Sequence, residues 1–189
     1  MHAVVSLDGF IADEHDEVGP LFDWYFNGDR SLFEGDDHSQ MAVSARSYEY
    51  VKPFWDSIEC AVVGRHLFDL TNGWEAKPPA CDRLVVISHR PRPEGWHPEA
   101  DVPFVGVADA IRIARDIAGD GVVALSAGEA AGQALALGLV DQVAMDVVPV
   151  VFGSGKPFFG HIEGRQLLDD PTVVIQGDRV LHLLFPVAR

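Results

Sequence analysis

The segment Val62-Val63-Gly64-Arg65-His66 carries an apolar β-branched run into Gly-Arg, where a helical pattern begins. Apolar residues without polar alternation fit a strand covered on both faces, the habit of parallel sheets. At the start of a helix, free backbone N–H groups and a partial positive charge favour an anion, and Arg65 adds a bidentate partner for phosphate. Taken alone, the segment fits equally well a glycine turn beside a solvated arginine.

Two further segments share this build. Val86-Ile87-Ser88-His89-Arg90 closes a strand with a hydroxyl, an imidazole and a guanidinium, at the end where α/β sheets bind ligands. Its plain alternative is the polar start of a loop. Val123-Ala124-Leu125-Ser126-Ala127-Gly128-Glu129-Ala130 passes from a strand through Ala-Gly into a helix of small residues, which lets a pyrophosphate approach the backbone. It is not a GxGxxG fingerprint, and tight strand–helix packing would select the same residues. Three such strand ends in one chain of 189 residues carry more weight together than singly. With a formal net charge of −15, the chain needs local basic points to hold a phosphate-rich ligand against its own field.

The remaining pattern is that of an α/β chain. Strands are expected at Ala3–Leu7, Cys60–Val63, Arg83–Ser88, Pro103–Val107, Val122–Ser126 and Gln142–Val151. Helices are expected at Ser44–Val51, Arg65–Leu70, Asp109–Ala118 and Glu129–Leu137. Val173–Gln176 and Val180–Phe185 flank Gly177-Asp178 and predict a C-terminal antiparallel hairpin. Asp13–Asp37 is acidic and Gly-rich around the aromatic island Phe22–Phe26, and is expected to be a long loop. One domain spanning 1–189 is expected from the length.

Several functions are excluded by composition. So acidic a chain does not suit a general nucleic-acid or anionic-membrane binder. No apolar run approaches the ~18 residues of a membrane span. The apolar stretch Ala3–Leu7 has no basic region before it and is cut by Asp8, so no secretory signal is expected and the location predicted is cytoplasmic. Cys60 and Cys81 are too few for a disulfide frame, and the eight histidines include no HExxH, so no metal is expected. Gly153-Ser154-Gly155-Lys156 imitates the end of a P-loop, but Val150 stands in place of the first glycine and Pro157 in place of the Ser/Thr.

The order Ser6-Leu7-Asp8-Gly9-Phe10-Ile11, Gly64-Arg65, Ser88-His89-Arg90 and Ala127-Gly128 resembles the dihydrofolate-reductase-like superfamily. Gly138-Leu139-Val140-Asp141-Gln142, running on to Pro149-Val150-Val151-Phe152-Gly153-Ser154-Gly155, is similar to the reductase domain of the bifunctional riboflavin-biosynthesis deaminase–reductase and its stand-alone bacterial relatives. The resemblance implies a mostly parallel β-sheet flanked by helices and closed by an antiparallel hairpin, a homodimer, and NADPH as hydride donor. It places Gly64, Arg65 and His66 at a cofactor phosphate, and Ser88, His89 and Arg90 at the adenosine end. Ala127, Gly128, Glu129 and Ala130 would surround the pyrophosphate.

On the substrate side the resemblance points to Asp8, Trp24, Ser126 and Phe152. The expected reaction is hydride transfer to a C=N or C=O group of a small planar substrate, pteridine- or pyrimidine-like. Asp8 or Asp23 would donate the proton if burial raises its pKa. Two departures bear on substrate: Ala127 replaces a frequent glycine, and Ser126 stands where the riboflavin branch carries an acid. The alternatives are a cofactor-binding module without turnover, or a reductase using a flavin or deazaflavin.

Overall fold

The computed structural model describes residues 1–33 and 40–188. In chain order its strands are β1 (His2–Ser6), β2 (Phe10–Ala12), β3 (Arg30–Ser31), β4 (Ala42–Val43), β5 (Ile58–Gly64), β6 (Leu84–Ile87), β7 (Phe104–Val105), β8 (Val122–Leu125), β9 (Gln142–Val148), β10 (Lys156–Pro157), β11 (Val173–Gln176) and β12 (Leu181–Pro186). The α-helices are α1 (Ala45–Asp56), α2 (Arg65–Thr71), α3 (Val107–Ala118) and α4 (Glu129–Ala136). The chain divides into two compact units. One comprises Met1, Asp56–Val140 and Phe159–Gly164, the other His2–Trp55, Asp141–Phe158 and Arg165–Arg189.

The first unit is built on a parallel four-stranded sheet in the order β7-β6-β5-β8. Val62, Val63, Val85 and Val86 are all buried, as their unbroken apolar pattern requires. Each such side chain contributes about 1.5–3 kcal/mol relative to exposure. Helix α3 presents Val107, Ala110, Ile111, Ala114 and Ala118 as one buried stripe at helical spacing. It starts at Val107, two residues before the expected start, with Gly106 as its cap. In α4 a side chain at Gly132 would run into the carbonyl of Phe159, which explains that helix's small-residue face.

The second unit holds a mixed four-stranded sheet in the order β1-β9-β12-β11, with β1 and β9 parallel and the hairpin β11–β12 antiparallel. Strand β9 ends at Val148 rather than Val151, just before Pro149, whose missing N–H ends a ladder. The hairpin bond runs from Gly177 N–H to Val180 O at 2.9 Å, so the corner is Asp178-Arg179, one residue later than expected. Gly177 is required because a Cβ there would overlap the Ser47 hydroxyl.

Two local expectations change. Helix α1 continues through Pro53 to Asp56 although Val51 looked like its end. Ring contacts of Phe54 with His2 and of Trp55 with Tyr25 and Phe33 hold that last turn. In the stretch Asp13–Asp37, Gly19–Phe26 is a 3-10 helix that buries Leu21, Trp24 and Tyr25, while Phe22 and Phe26 stay exposed. Residues 34–37 of that stretch lie outside the described residues.

Candidate functional site

Gly64 ends β5 beside α4, where a Cβ would come within 3.3 Å of the Ala130 methyl, so both positions must stay small. The helix that follows has only seven residues, and the chemistry of this corner therefore rests on side chains more than on a helix terminus. Arg65 donates from Nε to Asp69 Oδ1 at 2.7 Å and from Nη1 to the Pro91 carbonyl at 2.9 Å. Its guanidinium carbon lies 5.6 Å from the Phe68 ring centroid and 5.8 Å from that of Phe104, and its side chain is 17% exposed. Arg65 is thus held from three sides, a pre-oriented cation.

Arg90, after β6, donates from Nη2 to Asp69 Oδ2 at 2.9 Å, so one carboxylate draws two guanidiniums together. Partial burial would raise the Asp69 pKa, but the bonds and charges of Arg65 and Arg90 outweigh it and hold it below the ordinary value. Asp69 was not singled out from sequence, although its spacing four residues after Arg65 in a helical stretch was a visible signal. Ser88 is buried, and its hydroxyl donates to Arg90 O at 2.7 Å and accepts from Arg90 N–H at 3.0 Å. That turn aims Arg90. His66 and His89 are exposed.

At the end of β8, Ser126 N–H donates to Val62 O at 2.9 Å. Gly128 caps α4 with φ 109°, a backbone that favours glycine, while Ala127 and Ala130 are half-buried. Glu129 accepts from His161 N–H and from His161 Nδ1, both at 3.0 Å. Gly160, at φ 61°, lies against the Glu129 backbone, so the segment Phe159–His161 borders the start of α4. Nothing in the sequence pattern signalled this contact.

In the second unit Asp8 accepts from Ser6 Oγ at 2.6 Å, from Gly153 N–H at 2.7 Å and from Phe152 N–H at 3.1 Å. The Ser6 hydroxyl does most to lower its pKa, and the two backbone N–H groups add to that against a smaller opposing effect of desolvation. A proton donor near neutral pH needs the opposite shift, so the condition set for Asp8 is not met and it stands as a carboxylate. It ties the β1–β2 turn to the Phe152-Gly153 backbone. Asp23 is exposed.

Trp24 lies in the core of this unit at 1% exposure, its ring stacked on Tyr25 at 4.0 Å. Its indole N–H has no hydrogen-bond partner among the described residues. Beside it runs a buried polar chain that sequence reading missed altogether. Ser47 Oγ lies 2.9 Å from His182 Nε2, His182 Nδ1 donates to Asp146 Oδ1 at 2.6 Å, and His2 Nε2 donates to Asp146 Oδ2 at 2.9 Å. The order Ser–His–Asp is that of a nucleophilic triad, but all three side chains are buried and no substrate reaches the hydroxyl. Burial would raise the Asp146 pKa, yet the two imidazoles bring it down to about 2.

No family profile matches this chain, and no curated protein matches it by sequence. Solved structures do. A proposed riboflavin biosynthesis protein from Shewanella sp. PV-4 is similar at a TM-score of 0.65 and 20% identity, over 100% of this chain and 97% of that one. A diaminohydroxyphosphoribosylaminopyrimidine deaminase/5-amino-6-(5-phosphoribosylamino)uracil reductase from Thermotoga maritima is similar at 0.62 and 14% identity, over 99% of this chain and 55% of that one. The dihydrofolate reductase of Enterococcus faecalis, complexed with NADP(H), is similar at 0.53 and 15% identity, over 100% and 95%. The chain has the dihydrofolate-reductase-like fold.

In this dihydrofolate-reductase-like chain the first unit gathers cations beside small residues. Two guanidiniums stand at the ends of adjacent parallel strands, and Gly64, Gly128 and Ala130 keep the neighbouring backbone bare. No helix among the described residues is long and apolar enough to cross a membrane, and no group of three or more His, Cys, Asp or Glu among them is arranged to hold a metal ion.

Proposed function

We propose that this chain is an NADPH-dependent reductase acting on a C=N or C=O carbon of a small planar, pyrimidine- or pteridine-like substrate. The observation that carries the reading is the convergence of Arg65 and Arg90 at the ends of β5 and β6. NADPH would supply the hydride. Arg65, with Arg90 beside it, would grip a phosphate of the cofactor, and Gly128 at the cap of α4 would admit its pyrophosphate to the backbone. Gly64 and His66 would flank that phosphate, Ser88 and His89 would line the adenosine end, and Ala127, Glu129 and Ala130 would lie near the pyrophosphate. Support for the substrate class comes from the pyrimidine chemistry named for the Thermotoga maritima enzyme and from a pyrimidine reductase-like protein of Corynebacterium diphtheriae, 16% identical with a TM-score of 0.53 over 100% of this chain and 90% of that one.

Asp8, as an exposed carboxylate, is assigned to accept a hydrogen bond from a substrate N–H, and water is assigned as the proton source. Phe152, whose N–H donates to Asp8, would add a substrate contact from the same unit. A binding module without turnover is the second reading, favoured by the lowered pKa of Asp8, which removes one of the two proton donors expected from sequence.

Thermal unfolding with NADPH and with NADH tests the cofactor. At about 100 times its dissociation constant a ligand adds ~2.7 kcal/mol, or roughly 5–11 °C for a chain of this size. NADPH should give that shift, NADH much less, and Arg65→Ala should weaken NADPH about tenfold or more through loss of a charged hydrogen-bond donor. Equal shifts with both nucleotides, or unchanged NADPH affinity in Arg65→Ala, would overturn the assignment.

A further inference from the structure

Asp69 sits where a phosphate would be held. Its two carboxylate oxygens are divided between two cations, Oδ1 taking Arg65 Nε and Oδ2 taking Arg90 Nη2. The two arginines differ in freedom. Arg65 is fixed by the Pro91 carbonyl and by the rings of Phe68 and Phe104, whereas the Arg90 side chain is 66% exposed. Asp69 is itself 41% exposed, so its carboxylate can turn out to water, and exchanging one partly exposed ion pair for another costs little. The other N–H groups of both guanidiniums have no recorded partner among the described residues.

We propose that Asp69 is an affinity-setting residue, an internal competitor whose carboxylate holds Arg65 and Arg90 together and must be displaced by the phosphate monoester that takes its place. This rests on the cofactor reading proposed above and deepens it. A phosphate monoester carries a charge of about −1.5 to −2 near neutral pH and three acceptor oxygens, so it can engage both guanidiniums and displace a singly charged carboxylate. A ribose hydroxyl is neutral and gains nothing by parting Asp69 from its arginines. The carboxylate thus lowers the affinity for the phosphate, and with it the preference for a phosphorylated over an unphosphorylated ribose. A 2′-phosphate on an adenine ribose is the ligand group that fits.

The test is direct binding of two probes, adenosine 2′,5′-bisphosphate and adenosine 5′-monophosphate, which differ only in the 2′-phosphate. Each is titrated by calorimetry into the wild-type chain and into Asp69→Asn, which keeps the shape and removes the charge. Loss of one negative charge next to a dianion should tighten the bisphosphate about tenfold. The monophosphate should stay within about twofold, its phosphate lying elsewhere. Asp69→Glu retains the charge and should retain the weaker wild-type affinity. Adding Arg90→Ala to Asp69→Asn should abolish the gain.

If the wild-type chain prefers the bisphosphate and Asp69→Asn leaves that preference unchanged, the role of Asp69 is overturned while the cofactor reading stands. Equal tightening of both probes would likewise overturn it, as would weakening of the monophosphate alone, which would make Asp69 a ribose ligand. If neither probe binds either protein, the cofactor reading itself fails and this inference falls with it.

Discussion

The charged groups of the first unit stand at strand ends, where Arg65, Asp69 and Arg90 neutralise one another at the surface. One polar cluster of the second unit is instead sunk in its core, where Asp146 and His182 are 3% and 0% exposed and a hydroxyl and a second imidazole complete the set. An exposed pair contributes little to stability and can be exchanged for a ligand at low cost. A buried one is costly to open, because the group left behind loses water and partner together. Chemical type alone therefore does not separate a site from a scaffold. Burial does.

The largest expected effect that could break this contrast is on folding. Asp146→Ala leaves His182 buried without its acceptor and should cost ~3 kcal/mol in urea denaturation. Asp69→Asn should cost less than about 1 kcal/mol in the same experiment, as partly exposed pairs do. Similar losses from both would mean that the two clusters do the same work.

Acid comes next. Asp146 has a pKa of about 2 in the folded chain against 3.8 ordinarily, so its contribution is full above about pH 4 and is lost as pH falls towards 2. The loss should be about 2 kcal/mol, read as a falling melting temperature over that interval. In Asp146→Asn the part of the acid loss due to this group should vanish; an unchanged profile would mean that the buried carboxylate is not what acid attacks.

The smallest effect sharpens the position of Asp8, an exposed carboxylate in the same unit as the buried Asp146. Asp8→Asn removes an acceptor from the Phe152 and Gly153 N–H groups, and their amide exchange should quicken on the order of tenfold with little change in the melting temperature. Unaltered exchange at those two amides would show that Asp8 does not brace that backbone, and would leave its lone pairs for other work.

Periodicity made most of the fold legible. The valine runs of β5 and β6, the apolar stripe of α3 and the C-terminal hairpin all depend on near neighbours in the chain. The failures lie where distant residues override local preference. Helix α1 was expected to end at Val51 but runs on to Asp56, held by ring packing of Phe54 and Trp55, and the polar look of Asp13–Asp37 hid a 3-10 helix anchored by Leu21, Trp24 and Tyr25. At the strand ends Gly64-Arg65, Ser88-His89-Arg90 and Ala127-Gly128 were readable as candidates because glycine and arginine have few local reasons to recur there. That Asp8 is no proton donor was not readable, since it depends on how the Ser6 hydroxyl turns and on N–H groups more than a hundred positions away.

By itself, then, the sequence determined where the strands of the two four-stranded sheets lie, though not the short strands β2, β3, β4 and β10, and also which faces are apolar and where small residues and cations meet a strand end, because each follows from side-chain size, charge and spacing along one element. Only the tertiary structure decided that Asp69 unites Arg65 with Arg90, that Asp8 stays ionised, and that Ser47, His182, Asp146 and His2 form one buried chain. Those outcomes are set by desolvation and by hydrogen bonds between separate elements, and neither exists until the elements pack.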